Sequence, residues 1–191
     1  LSSSSAASDV YKRQTQDVFI EHVGIPTLGA LRESVDALKE LNMHRKVQLV
    51  VSGGIRTGAD VAKAMAMGAD AVSIGSAAMM ALNCNADLYV EDYKKLGTEP
   101  GYCHHCHTGK CPVGVATQDP ELEKRLNPIE AGKRLKNYLT TLTLELQTLA
   151  RANGKSDVRN LEPEDLAALT VEAAAMARVP LAGTDWIPGK K

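Results

Sequence analysis

The pattern of apolar and polar positions divides the chain into a strand-and-helix part, a polar loop and a helical tail. "TLGALRESVDALKEL" puts Leu28, Leu31, Val35, Leu38 and Leu41 on one face of a helix over 27–41. "KVQLVVSGG" follows, a short β-branched run ending in two glycines. Its apolar residues do not alternate cleanly, which predicts a strand covered on both faces. "RTGADVAKAMAMG" predicts a helix that stops at Gly68, "ADAVSIG" a second covered strand, and "SAAMMAL" a short helix. This order, with short connections, means parallel strands and right-handed crossovers. Two strands make no stable parallel sheet alone, so the unit is expected to need further strands.

Beyond Cys84 the pattern changes. Residues 85–111 are polar, with Gly and Pro punctuation, and predict a loop. "NPIEAGKRLKNYLTTLTLELQTLARANGKS" then predicts a long helix. Asn127 is its N-cap, Pro128 lies in its first turn and Gly154 is its stop. Its expected apolar face is Leu135, Leu139, Leu142, Leu146 and Leu149. "LEPEDLAALTVEAAAMA" predicts one or two further helices, and the tail "GTDWIPGKK" is turn-rich.

Composition removes some function classes. The 191 residues are 44% hydrophobic with a net charge of −1, which suits one globular domain or part of a larger one. Basic and acidic residues balance and aromatics are only 4%, so no basic stacking face for nucleic acid is present. No apolar run approaches the roughly 20 residues of a membrane span. The opening "LSSSSAASDVYKRQ" is serine-rich, has no initiator methionine and has no apolar signal-peptide core. It resembles translated sequencing-adaptor sequence and is set aside from the fold. The expected divisions are therefore 1–14 non-native, 15–84 βα units, 85–120 cysteine loop and 121–191 helical extension.

The glycine loops carry the first chemical signal. A strand ending in glycine and followed at once by a helix offers backbone N–H groups to an anion. In (β/α)₈ barrels a phosphate site often follows strands 7 and 8. Two such loops, about twenty residues apart, match that arrangement. Ser52, Gly53, Gly54 and Ile55 would form one half, with Arg56 as a charged donor, and Gly75 and Ser76 the other. The expected fold is thus α/β, the last two βα units of a (β/α)₈ TIM barrel followed by a cysteine loop and helices.

Four cysteines, Cys84, Cys103, Cys106 and Cys111, carry the second signal, three of them in "CHHCHTGKC". The spacing alone admits four readings. C-x-x-C-H is a haem attachment pattern, but the βα context opposes it. A C-x-x-C redox pair normally opens a helix beside a strand. Zinc would accept the cysteines and any of His104, His105 and His107. An iron–sulfur cluster wants thiolates converging from a loop, with one more from elsewhere, which Cys84 would supply.

"CHTGKCPVGVATQDPEL" closely resembles the cysteine segment of glutamate synthases, iron–sulfur flavoproteins that make L-glutamate. "EHVGIPT" upstream and both glycine loops resemble that family in order, as do "TLTLELQTLARANGKSDV" and "NLEPEDLAAL" downstream. The resemblance implies an FMN-binding (β/α)₈ barrel and a three-iron, four-sulfur cluster on three cysteines. It implies electrons passing from cluster to FMN, and reductive amination of 2-oxoglutarate with ammonia in the cytoplasm. Cys106 and Cys111 carry over as ligands. Cys84 is expected as the third, with Cys103 its competitor, or all four hold a four-iron cluster. The histidines are expected beside the cluster rather than on it. The implied partners are an electron donor (ferredoxin or an NAD(P)H-oxidising protein) and an ammonia source such as a glutaminase. A fragment holding only these parts is expected to be inactive alone.

Overall fold

A computed structural model describes residues 23–189 of the chain. The segment Leu1–Gln14 and the first two residues of "EHVGIPT" lie outside the described residues. The first helix of the described residues, α1, spans Thr27–Glu40 and buries Leu31 and Val35. Leu41, expected on the same face, is 71% exposed, because the helix ends before it. Strand β1 (Val50–Ser52), helix α2 (Gly58–Ala66), strand β2 (Ala71–Ser73) and helix α3 (Ser76–Ala81) follow in the expected order. The two strands pair in parallel, with Val50 opposite Ala71, Val51 opposite Val72 and Ser52 opposite Ser73. That register sends both glycine loops out from the same end of the sheet.

The strands differ from expectation in one respect: they are covered on one face only. Val51 is buried beneath the helices, but Val50 is 59% exposed. The described residues stack helices on one side of the sheet and nothing on the other. The non-alternating apolar run therefore reports a second covering layer that these residues do not supply.

Helix α2 is bounded by local chemistry. Thr57 caps its first turn by accepting from the Asp60 amide, and Asp60 returns the bond to the Thr57 amide. Gly68 ends it at φ 110°, where a side chain would also strike Val35. A short helix, α4 (Val90–Lys95), crosses the expected polar loop, and α5 is the single turn Pro120–Glu123. Helix α4 carries one buried residue, Tyr93, so its sequence shows no apolar period. Helix α6 runs Pro128–Ala152 with Asn127 accepting from the Ile129 and Glu130 amides, and Gly154 follows at φ 71°. Its buried stripe is Ala131, Leu142, Leu146 and Ala150, with Tyr138 and Leu149 packed beside them. Leu139, expected on that face, is 41% exposed, because the stripe steps from 138 to 142. Of the final helical stretch only α7 (Val171–Ala177) is α-helix; Pro163–Asp165 forms a 3₁₀ turn instead.

One core joins α1, β1, α2 and α6 through Leu31, Val35, Val51, Val61, Leu142 and Leu146. Its tightest point is Gly58. A Cβ there would stand 2.6 Å from the Leu146 nitrogen, 2.8 Å from the Glu145 Cβ and against the Leu142 carbonyl. Gly132, on α6, meets nothing within 4 Å. Gly58→Ala should therefore lower stability by about 1–3 kcal/mol, as overpacked sites do. Gly132→Ala should raise it by about 0.5–1 kcal/mol. Urea denaturation of both variants checks this, and equal effects would remove the packing argument.

Candidate functional site

The candidate site has two halves joined by α3. In the first half, Gly53 (φ 111°) and Gly54 (φ 75°) hold left-handed conformations directly after β1. Open space lies where a Gly54 side chain would project. The amides at the start of α2 are not available to an anion. Those of Arg56 and Thr57 donate to Asp60 Oδ2, each at 3.0 Å, and that of Gly58 donates to Glu145 Oε2 at 2.6 Å. The protein's own carboxylates thus occupy the amides of residues 56–58, just past the expected phosphate residues Ser52, Gly53, Gly54 and Ile55. What faces outward is the loop before it, Ser52–Gly54, with the exposed Arg56 side chain beyond and Ile55 buried in the core. Gly75 and Ser76 leave the neighbouring strand from the same sheet end.

Helix α6 braces the first loop and the far end of α3. The Tyr138 hydroxyl donates to the Arg56 carbonyl at 2.8 Å, and Arg134 Nε donates to the Ala81 carbonyl at 3.2 Å. The second bond fixes the end of α3, just ahead of Cys84.

The second half is the cysteine region. Cys111 is buried, Cys84 and Cys103 are half-buried and Cys106 is exposed. Asn85 ties Cys84 to Cys103. Its Oδ1 accepts from the Cys103 amide at 2.8 Å, and its Nδ2 faces both the Cys103 carbonyl (3.4 Å) and Cys84 Sγ (3.8 Å). Burial pushes the Cys84 thiol up to about 11, and Cys106, Cys111 and Cys103 push it the same way. Asn85 thus holds Cys103 beside Cys84, and Cys103 and Cys111 pack in one cluster with Tyr93.

Below them lies Tyr93, 0% exposed, packed with Cys111, Val113 and Cys103. Its hydroxyl is buried with no hydrogen-bond partner among the described residues. The histidines stack on one another: His104 on His105 (4.7 Å between ring centres) and His105 on His107 (6.4 Å).

The C-P-V-G turn is held from outside. Gly114 sits at φ 76°, where a Cβ would press on the Leu122 carbonyl and stand 3.1 Å from the Leu126 nitrogen. Arg125 reaches back from just past α5. Its Nη1 donates to Asp92 Oδ2 and to the Pro112 carbonyl, both at 2.7 Å, and its guanidinium lies 4.3 Å over the Tyr89 ring. Lys95 and Arg125 together hold the Asp92 carboxyl below its usual range. Asn85, Tyr93, Arg125 and Glu145 were not singled out by the sequence reading. Each acts across a long sequence gap, and no local pattern marks it.

The donor set bears on the metal chemistry. Among the described residues, no three Cys, His, Asp or Glu side chains surround one point closely enough to hold a single ion. A mononuclear zinc needs its ligands about 2.3 Å from one centre. A polynuclear iron–sulfur cluster puts each thiolate on a different iron and so asks for a wider ring. Four thiols of one loop and its approach, with Cys103 and Cys111 packed by an unpartnered buried hydroxyl, are a donor set of the kind such a cluster takes.

A family model described as a conserved region in glutamate synthase matches residues 14–156. The chain belongs to the glutamate synthase family. It is 65% identical over 176 residues to a glutamate synthase large subunit-like protein of Rhizobium meliloti, covering 92% of the chain and 40% of that protein. It is 40% identical over 144 residues to the archaeal glutamate synthase [NADPH] of Methanocaldococcus jannaschii, covering 75% of the chain and 25% of the relative. A ferredoxin-dependent glutamate synthase of Cyanidium caldarium is 35% identical over 150 residues, 74% of the chain and 8% of the relative. The glutamate synthase region seen here thus spans 40% or less of these relatives' length. Among its described residues no helix is long and apolar enough to cross a membrane.

The Arg125 clamp is testable without any cofactor. Arg125→Met keeps the side-chain bulk but removes both hydrogen bonds. It should cost about 1–3 kcal/mol in urea denaturation, since the clamp is partly exposed. An unchanged midpoint would show that the C-P-V-G turn holds itself.

Proposed function

We propose that this chain is the flavin-phosphate and iron–sulfur portion of a glutamate synthase, containing the last two βα units of a (β/α)₈ barrel. The observation that carries the reading is that Cys84, just beyond the helix that leaves the second glycine loop, is joined through Asn85 to Cys103, which packs in one cluster with Cys111. Cys84, Cys106 and Cys111 would hold a three-iron cluster. Cys103, whose backbone is held by Asn85, would stand beside it. Ser52, Gly53, Gly54 and Ile55, with Arg56, and Gly75 and Ser76 would hold the phosphate of FMN. When bound, these groups supply one-electron storage and hydride-level reduction for the amination of 2-oxoglutarate to L-glutamate.

The chain's own residues perform the holding. The open space at Gly54 admits close approach of a phosphate to the backbone. Asp60 and Glu145 satisfy the amides of α2 and so fix the loop ahead of it. Exposed Val50, on the uncovered sheet face, fits a surface that the remaining barrel strands would close over. Electron donor, ammonia source and the flavin-ring contacts belong in this reading to the rest of the protein.

The test uses the full-length protein containing this chain, purified without oxygen. Iron, acid-labile sulfide, zinc and flavin are counted, EPR spectra are taken and glutamate formation is assayed. The expected result is iron, sulfide and FMN, with an EPR signal in the oxidised protein. Cys84→Ser should abolish that signal and Cys103→Ser should keep it. Zinc without iron would replace this reading with a structural metal site. Loss of the signal in Cys103→Ser, with retention in Cys84→Ser, would reverse the ligand assignment.

A further inference from the structure

Tyr93 presents an unresolved cost. Its hydroxyl is fully buried and makes no hydrogen bond among the described residues. Burying such a group unpaired costs about 1–3 kcal/mol. A phenylalanine would fill the same space without that cost. The apolar residues clustered with it are Cys111, Val113, Cys103, Val115 and Ala116, and no acceptor among the described residues pairs with the hydroxyl. A trapped water is a poor solution, because it needs two to four polar partners of its own. The polar groups at hand are sulfurs: the fields of Cys103, Cys111 and Cys84 all reach the Tyr93 hydroxyl.

We propose that the Tyr93 hydroxyl donates a hydrogen bond to the iron–sulfur cluster held by the neighbouring cysteines, to a bridging sulfide or a ligating thiolate. The proposal rests on the cluster reading above. Reduction adds one negative charge to the cluster, and a fixed donor stabilises the more negative state. Tyr93 is thus a tuning residue that raises the cluster's reduction potential. It neither ligates the metal nor touches substrate. Its place on α4 follows from the clamp already described: Asp92, the preceding residue, is the one that Arg125 grips.

The experiment compares the full-length protein with its Tyr93→Phe variant, both reconstituted anaerobically with ferrous iron and sulfide. Iron per chain should be unchanged. The midpoint potential from an EPR-monitored titration should fall, with the reduction equilibrium shifting about tenfold, or about 59 mV for a one-electron couple. The metal-free variant should be no less stable than the metal-free parent, because the deleted hydroxyl has no partner there. Should the variant fail to hold its cluster, the wild-type protein still decides. After reconstitution in heavy water, double-resonance EPR should show loss of one exchangeable proton coupling. Equal potentials at equal iron content, or no exchangeable coupling in the wild type, would overturn the proposal. A wild-type protein that takes up no iron and sulfide would overturn this inference together with the cluster reading.

Discussion

Gly58 lets the first turn of α2 lie directly on the backbone of α6, so close that a methyl group would press on the Leu142 carbonyl. The Gly58 amide uses that closeness to reach the Glu145 carboxylate. Much follows from this one approach. With α6 seated there, Tyr138 meets the Arg56 carbonyl and Arg134 meets the Ala81 carbonyl. The first bond fixes the loop after β1, and the second fixes the segment that leads to Cys84. A helix 25 residues long is thus a splint for the loop at Arg56 and for the end of α3 at Ala81. The splint is needed because the sheet is two strands of three residues each, too short to position loops unaided.

What the sequence revealed is mostly what neighbouring residues decide. Thr57 with Asp60, Asn127 with Pro128, and the stops at Gly68 and Gly154 are capping chemistry within one turn of the chain. The ligand-like cysteines and the glycine loops were legible for the same reason. Pairings across space were not. Nothing around Asn85 says that its amide will bind the backbone at Cys103, and nothing around Arg125 points to Pro112. Helix α4 was invisible because six residues with one buried side chain carry no period. The strands misled in an informative way: their composition suits two covered faces, while the described residues cover one.

Electrostatics at the glycine loops also read differently in three dimensions. A glycine-rich turn before a helix offers amides to an anion only if the protein leaves them unused. Here Asp60 and Glu145 take the amides of residues 56 to 58, which leaves Gly53 and Gly54 as the approachable backbone. The carboxylates also place negative charge next to any bound phosphate. Arg56, exposed at the loop's end, is the compensating cation within the same few residues.

Helix α3 sets the relation between the two halves. Gly75 is its N-cap, and Cys84 lies three residues beyond its last residue, Ala81. Six residues of α-helix rise about 9 Å. On the proposed reading, that rise sets the separation between a flavin phosphate loop and the first cluster thiolate. Both are anchored to one rigid element whose far end Arg134 holds to α6. A longer loop between the sites would leave that separation to thermal motion. A helix of six residues with no glycine holds it instead.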